Sequence, residues 1–130
     1  MTDKIYTMTA PSIDKDGHTH MITLVGRYRK IREVHYVETN IKQQNGLTKK
    51  ILEPEKMIKR EFAMGYSICH PEDEYDKTLG ESIGLRRIDR GETIGTLASY
   101  DVTMLNPNQC SAIMNYEMLR IVDNIDDFIK

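Results

Sequence analysis

The chain has 130 residues, 39% hydrophobic and 29% charged, the composition of one globular domain spanning 1–130 rather than of a disordered chain. No apolar run reaches the length of a membrane span, and Met1-Thr2-Asp3-Lys4 is no apolar leader, so neither a membrane nor a secreted protein is expected. Eighteen basic against twenty acidic side chains leave a net charge of −2, which argues against broad electrostatic binding to a DNA or RNA duplex.

Two cysteines far apart, Cys69 and Cys110, suit a reduced cytoplasm better than a disulfide framework. Residues 4–9 are rich in strand formers, and Pro11 with Asp14-Lys15-Asp16-Gly17 predicts a turn. From His20 to Tyr28 apolar Ile22, Leu24 and Tyr28 alternate with polar Thr23, Arg27 and Arg29, the pattern of a half-buried strand. Val34 to Ile41 reads as another strand, and Asn45-Gly46 as a two-residue hairpin turn. Glu53-Pro54-Glu55 is expected to interrupt the chain again. The clearest strand runs from Ile58 to Cys69, with Phe62, Met64, Tyr66 and Ile68 on one face. Its other face is small from Ala63 to Cys69, which lets a helix, a second subunit or a ligand approach closely.

The pattern then changes. His70-Pro71-Glu72-Asp73-Glu74 reads as a helix start, with proline at the first position and acids against the helix dipole. Tyr75, Leu79 and Ile83 predict one apolar stripe, and Gly80 and Gly84 tight packing or a weak helix. Arg86, Arg87 and Arg90 crowd the last turn before Gly91. Ile94 to Met104 returns to strand. Asn106-Pro107-Asn108-Gln109 is a second helix start, with asparagine as N-cap and glutamine three positions on. The final helix is expected to run to about Ile129. Its apolar arc exceeds one stripe, so a homodimer or higher oligomer through residues 107–129 is expected. The whole predicts an α+β domain: one mostly antiparallel sheet of about five strands, with two helices in the C-terminal half.

Candidate chemistry is sparse. His18-Thr-His20 shares a strand face but lacks further ligands at metal-binding spacing, so no metal is expected. Cys69 and His70 are adjacent, point to opposite faces of a strand and cannot form a dyad with each other. There is no glycine-rich phosphate loop and no nucleophile elbow, and no cofactor or catalytic residue is expected. What remains is anion binding. Two strand-to-helix junctions present free N–H groups, and the neutral one at Asn106, Asn108 and Gln109 suits phosphate better than the acidic one after His70. Arg86, Arg87 or Arg90 would then clamp the ligand, although cations also decorate a helix C-terminus for dipole reasons alone.

The stretch FAMGYSICHPEDEYDKTLGESIGLRRI at 62–88, followed by IGTLASYDVTMLNPNQ at 94–109, resembles small phage-encoded proteins. In element order and strand-to-helix junctions the chain resembles the first Thoeris anti-defence family, phage proteins that sequester immune signals. The resemblance covers about the last 70 residues. It implies an antiparallel sheet with helices, ligand pockets at a dimer interface, and sequestration without cleavage of a cyclic ADP-ribose-type signal in the host cytoplasm. It also implies hexamers that hold cyclic oligonucleotides at separate sites. A protein–protein inhibitor docking through the last helix, or a small nucleotide-cleaving enzyme using Cys69 or His70, are the alternatives.

Overall fold

The computed structural model describes residues 3–99 and 106–129, with side chains omitted at 96–99 and at Pro107. Four strands follow one another as an antiparallel sheet: β1 (Lys4–Ile13), β2 (Thr19–Lys42), β3 (Thr48–Cys69) and β4 (Ile94–Ser99). Helix α1 (Lys77–Asp89) lies between β3 and β4, and α2 (Pro107–Asp123) and α3 (Ile125–Phe128) close the chain. The fold is α+β, as the alternation of patterns predicts.

The sheet has four strands rather than about five because the two segments split at Tyr28 and Val34 are one strand. Nothing between them is a turn former, and Tyr28 to Ile41 stays paired throughout with Phe62 back to Lys49. Pro54 does not interrupt β3. It stands opposite Tyr36 where the ribbon has no third strand among the described residues, so no ladder bond is lost on an inner side. Pro11 is tolerated for the same reason, because β1 is an edge strand.

Both hairpins turn alike. Asp14 N donates to His18 O and Gly17 N to Asp14 O, and Gln43 N donates to Leu47 O and Gly46 N to Gln43 O. Only the glycines take positive φ, +86° at Gly17 and +82° at Gly46. A two-residue turn over Asn45-Gly46 needs positive φ at Asn45 in either favoured type, and Asn45 has none, so the pair sits instead in a longer loop with one left-handed residue.

The sheet is covered on both faces at its root. Even-numbered Ile22, Leu24 and Tyr28 with Phe62 and Met64 pack against Cys110, Met114, Met118, Ile121 and Ile125. Odd-numbered Thr23 and Val25 with Ala63, Gly65 and Ser67 receive α1, whose buried residues are Gly80, Gly84 and Ile88. The small face of β3 is thus a helix seat. A Cβ at Gly65 would stand 2.3 Å from the Gly84 carbonyl oxygen, so only glycine permits this approach. The stripe of Tyr75, Leu79 and Ile83 is not the inward face: Tyr75 precedes the helix and Leu79 is exposed.

Helix α1 starts six residues later than Pro71 at its first position would put it. Asp76 is its N-cap and accepts the Leu79 N–H, and no acid lies in its first turn. Residues 70–73 instead form a turn in which His70 O accepts the Asp73 N–H. The second helix start is as expected: Asn106 and Gln109 form a reciprocal capping box. Its helix stops at Asp123, and Asn124, whose side chain donates to Arg120 O, separates it from α3. Of the strand expected at Ile94–Met104, residues 100–104 lie outside the described residues, as does Leu105.

Candidate functional site

The β1–β2 turn, the end of β3 and the C-terminus meet at one end of the sheet. They enclose an open cleft of about 490 Å³. Its walls carry Asp14, His18 and His20 from the turn, and Ile68, His70 and Glu72 from the end of β3. Arg87 of α1 and Phe128 and Ile129 complete it. Three of the four histidines of the chain therefore share one concavity with an arginine.

Each charged group has a defined setting. Asp14 Oδ2 lies 2.7 Å from His20 Nε2 and 3.7 Å from His18 Nδ1. Its other oxygen accepts the backbone N–H groups of Asp16 and His18. The His20 bond, then the backbone donors, hold the Asp14 carboxyl down at about 2. His20 is buried, and its Nδ1 has no hydrogen-bond partner.

Arg87 starts on the α1 side of the sheet and reaches around β3 where β4 no longer pairs. Its Nη1 donates to Tyr66 O at 2.9 Å, and its guanidinium stands 5.0 Å from the Tyr66 ring centroid. Tyr66 and Phe128 meet edge to face at 5.3 Å. One cation, two rings and imidazoles are the groups that recognise a phosphorylated, planar ligand.

Of the residues the sequence singles out, Arg87 and His70 meet in this cleft. Arg86 and Arg90 are exposed on α1. Asn106, Asn108 and Gln109 lie elsewhere. Helix α2 starts near Tyr6, which packs on the core that contains Cys110, and ends beside Ser12, whose hydroxyl donates to Val122 O. Six strand residues separate those points, about 20 Å. Asn106, Asn108 and Gln109 are not among the residues that line the cleft. Asn106 Oδ1 and Gln109 Oε1 are also already engaged in the capping box.

The acidic junction has no helix N-terminus at Ile68–Glu72 to offer. His70 Nδ1 accepts the Glu72 N–H at 3.2 Å, and Cys69 Sγ faces the carbonyls of His70 and Asp73 at 3.5 and 3.7 Å. Neither contact pairs the thiol with a base. Cys110 is fully buried, and burial pushes its thiol up, which suits an inert core residue. Asp14, Asp16 and His18 place ligand atoms within 4.8 Å of one another. Asp14 is the member that sequence reasoning missed. The Asp-x-Asp-Gly turn placed it near His18, but only strand register brings His20 back onto it.

Comparison with protein-family models, curated proteins and solved structures found no match. Among the described residues no helix is long and apolar enough to cross a membrane.

Proposed function

We propose that this protein binds and sequesters a small phosphorylated nucleotide signal, of the cyclic ADP-ribose type, without cleaving it, and so counters an anti-phage defence. One observation carries the binding half of this reading: Arg87, His18, His20 and His70 line one cleft beside Phe128. Arg87 would pair with phosphate oxygens, and the rings would cover a base. Asp14 opposes an anion least of the two carboxylates there, because His20 already holds it. The resemblance of the element order and strand-to-helix junctions in about the last 70 residues to signal-sequestering phage proteins supports the choice of ligand class. Non-cleavage is supported by the settings of Cys69 and His70, which face backbone groups rather than each other.

The test is incubation with a nucleotide extract, removal of unbound solutes, heat denaturation and mass spectrometry of the released material. An intact phosphorylated nucleotide is expected. A chemically changed one would make the protein an enzyme, and none at all would favour the protein-contact reading. Arg87→Ala should weaken capture ~10- to 100-fold, since a hydrogen bond to a charged group contributes about 1.5–3 kcal/mol. Arg86→Ala and Arg90→Ala should leave it unchanged.

A further inference from the structure

Beyond Arg60, β2 and β3 leave the body as a two-stranded ribbon of residues 31–59, with no third strand among the described residues. Twelve residues per strand give it a length of about 40 Å. An isolated ribbon is marginally stable in water, and this one exposes Val34, Tyr36, Leu52 and Ile58. Such a surface fits a partner better than solvent.

Its charges are sorted by face. Register puts Arg32, Val34, Tyr36, Glu38 and Lys42 on one side with their partners Ile58, Lys56, Pro54, Leu52 and Thr48, and Lys50 opposite Asn40. That even face thus carries four Lys/Arg against one Glu, and Lys30 extends it at the root. The odd face carries Lys49 and Lys59 against Glu33, Glu53 and Glu55. Arg32, Lys42, Lys50 and Lys56 are all exposed. The ribbon as a whole has six Lys/Arg against four Asp/Glu, and the rest of the chain twelve against sixteen. The net charge of −2 averages over this segregation.

We propose that the even-numbered face of the ribbon docks on double-stranded DNA, seated in a groove. A B-form major groove is about 12 Å wide and admits a two-stranded ribbon. The cations lie along the whole ribbon, two near the root and two near the tip, which matches an extended polyanion rather than one phosphate. Tyr36, Pro54 and Leu52 lie in the middle, where they offer apolar contact to sugars and bases, beside Glu38, whose carboxylate stands 3.7 Å from Lys50 Nζ. This inference does not depend on the cleft.

The experiment is fluorescence anisotropy of the full chain with a labelled 20-base-pair DNA duplex across 50–200 mM salt. Arg32→Gln/Lys50→Gln on the even face and Lys49→Gln/Lys59→Gln on the odd face change the charge equally. The even pair should weaken binding about 10-fold and flatten the salt slope by about 2, since each phosphate contact contributes roughly 0.9. The odd pair should change it less than 3-fold. Circular dichroism and thermal melting, equal to the parent, establish that both variants fold. No binding at 50 mM salt overturns the proposal, as do equal losses from both pairs. Sedimentation of the parent as a dimer that only the even pair dissociates also overturns it, by making a second copy the occupant.

Discussion

Strands β2 and β3 are each continuous, yet their two halves live in different environments. At the root, residues 22–28 and 62–68 are sandwiched between α1 and the α2–α3 pair. In the ribbon, residues 31–59 pair with each other alone among the described residues. The β2–β3 ladder runs unbroken through both, but at the root β2 also pairs with β1 and β3 with β4. The side-chain surroundings differ as well, so alternation of residue types and pairing register suffice to make a strand but not to bury it. Val25 and Leu24 are fully buried, whereas Tyr36 and Leu52 are 68% exposed.

The sharpest way to break this comparison is to truncate one leucine in each half. Leu24→Ala should cost about 2–5 kcal/mol, the range for a fully buried leucine. Leu52→Ala should cost less than about 0.5 kcal/mol, as for a surface site. Chemical denaturation read by circular dichroism measures both. Similar losses would mean that the ribbon packs against something in solution.

Gly65→Ala comes next. Its methyl would meet the Gly84 carbonyl oxygen, which is backbone and cannot swing aside, so α1 must move off the sheet. A cost of about 1–3 kcal/mol is expected, with loss of the Arg27–Asp89 ion pair that ties the last turn of α1 to β2. Thermal melting and the chemical shifts of Arg27 report the two effects.

Gly46→Ala should act on the ribbon alone. A Cβ there meets nothing within 4 Å, but the residue has φ +82°. The expected penalty is about 1–2 kcal/mol of left-handed strain, confined to the tip. Hydrogen exchange should show faster opening near Gln43 and Leu47 with no change at Leu24 or Phe62.

The smallest effect concerns pH at the β1–β2 turn. Asp14 is held at about 2 in the folded protein, below its ordinary value of 3.8, chiefly by His20. A depressed folded value means that the contribution is complete above the unfolded value and is lost as pH falls through the folded one. The turn should therefore loosen between about pH 4 and pH 2, seen as a shift of the His18 and Asp16 amide resonances. Asp14→Asn should remove that pH dependence.

The body of the protein was largely written in local pattern. Alternation marked the root of β2 and of β3, Asn106 and Gln109 marked the start of α2, and the paired glycines Gly80 and Gly84 marked close packing. The start of α1 was misplaced because Pro71 and the acids after it are good first-turn residues. Asp76 competes as N-cap, and its capping bond to Leu79 wins. Pro54 looked like a break because sequence does not say which edge of a strand is unpaired.

The cleft was the least visible part. Arg87 and His70 could be named as candidates, but Arg86 and Arg90 look identical to Arg87 in sequence. Only the packing of α1 across β3 decides that Arg87 alone reaches around the open edge to Tyr66. Asp14 and His20 are brought together by the pairing of β1 with β2, and Phe128 reaches the cleft because Asn124 ends α2. Sequence by itself determined what is local: strand and helix periods, the N-cap box, the left-handed glycines. Tertiary structure decided what is distant, namely which face each helix covers, which end of the sheet gathers the histidines, and which stretch of two long strands has nothing packed on it. The reason is that local pattern depends on the conformational preferences of a few adjacent residues, whereas burial and site geometry depend on side chains more than a hundred residues apart arriving at one place.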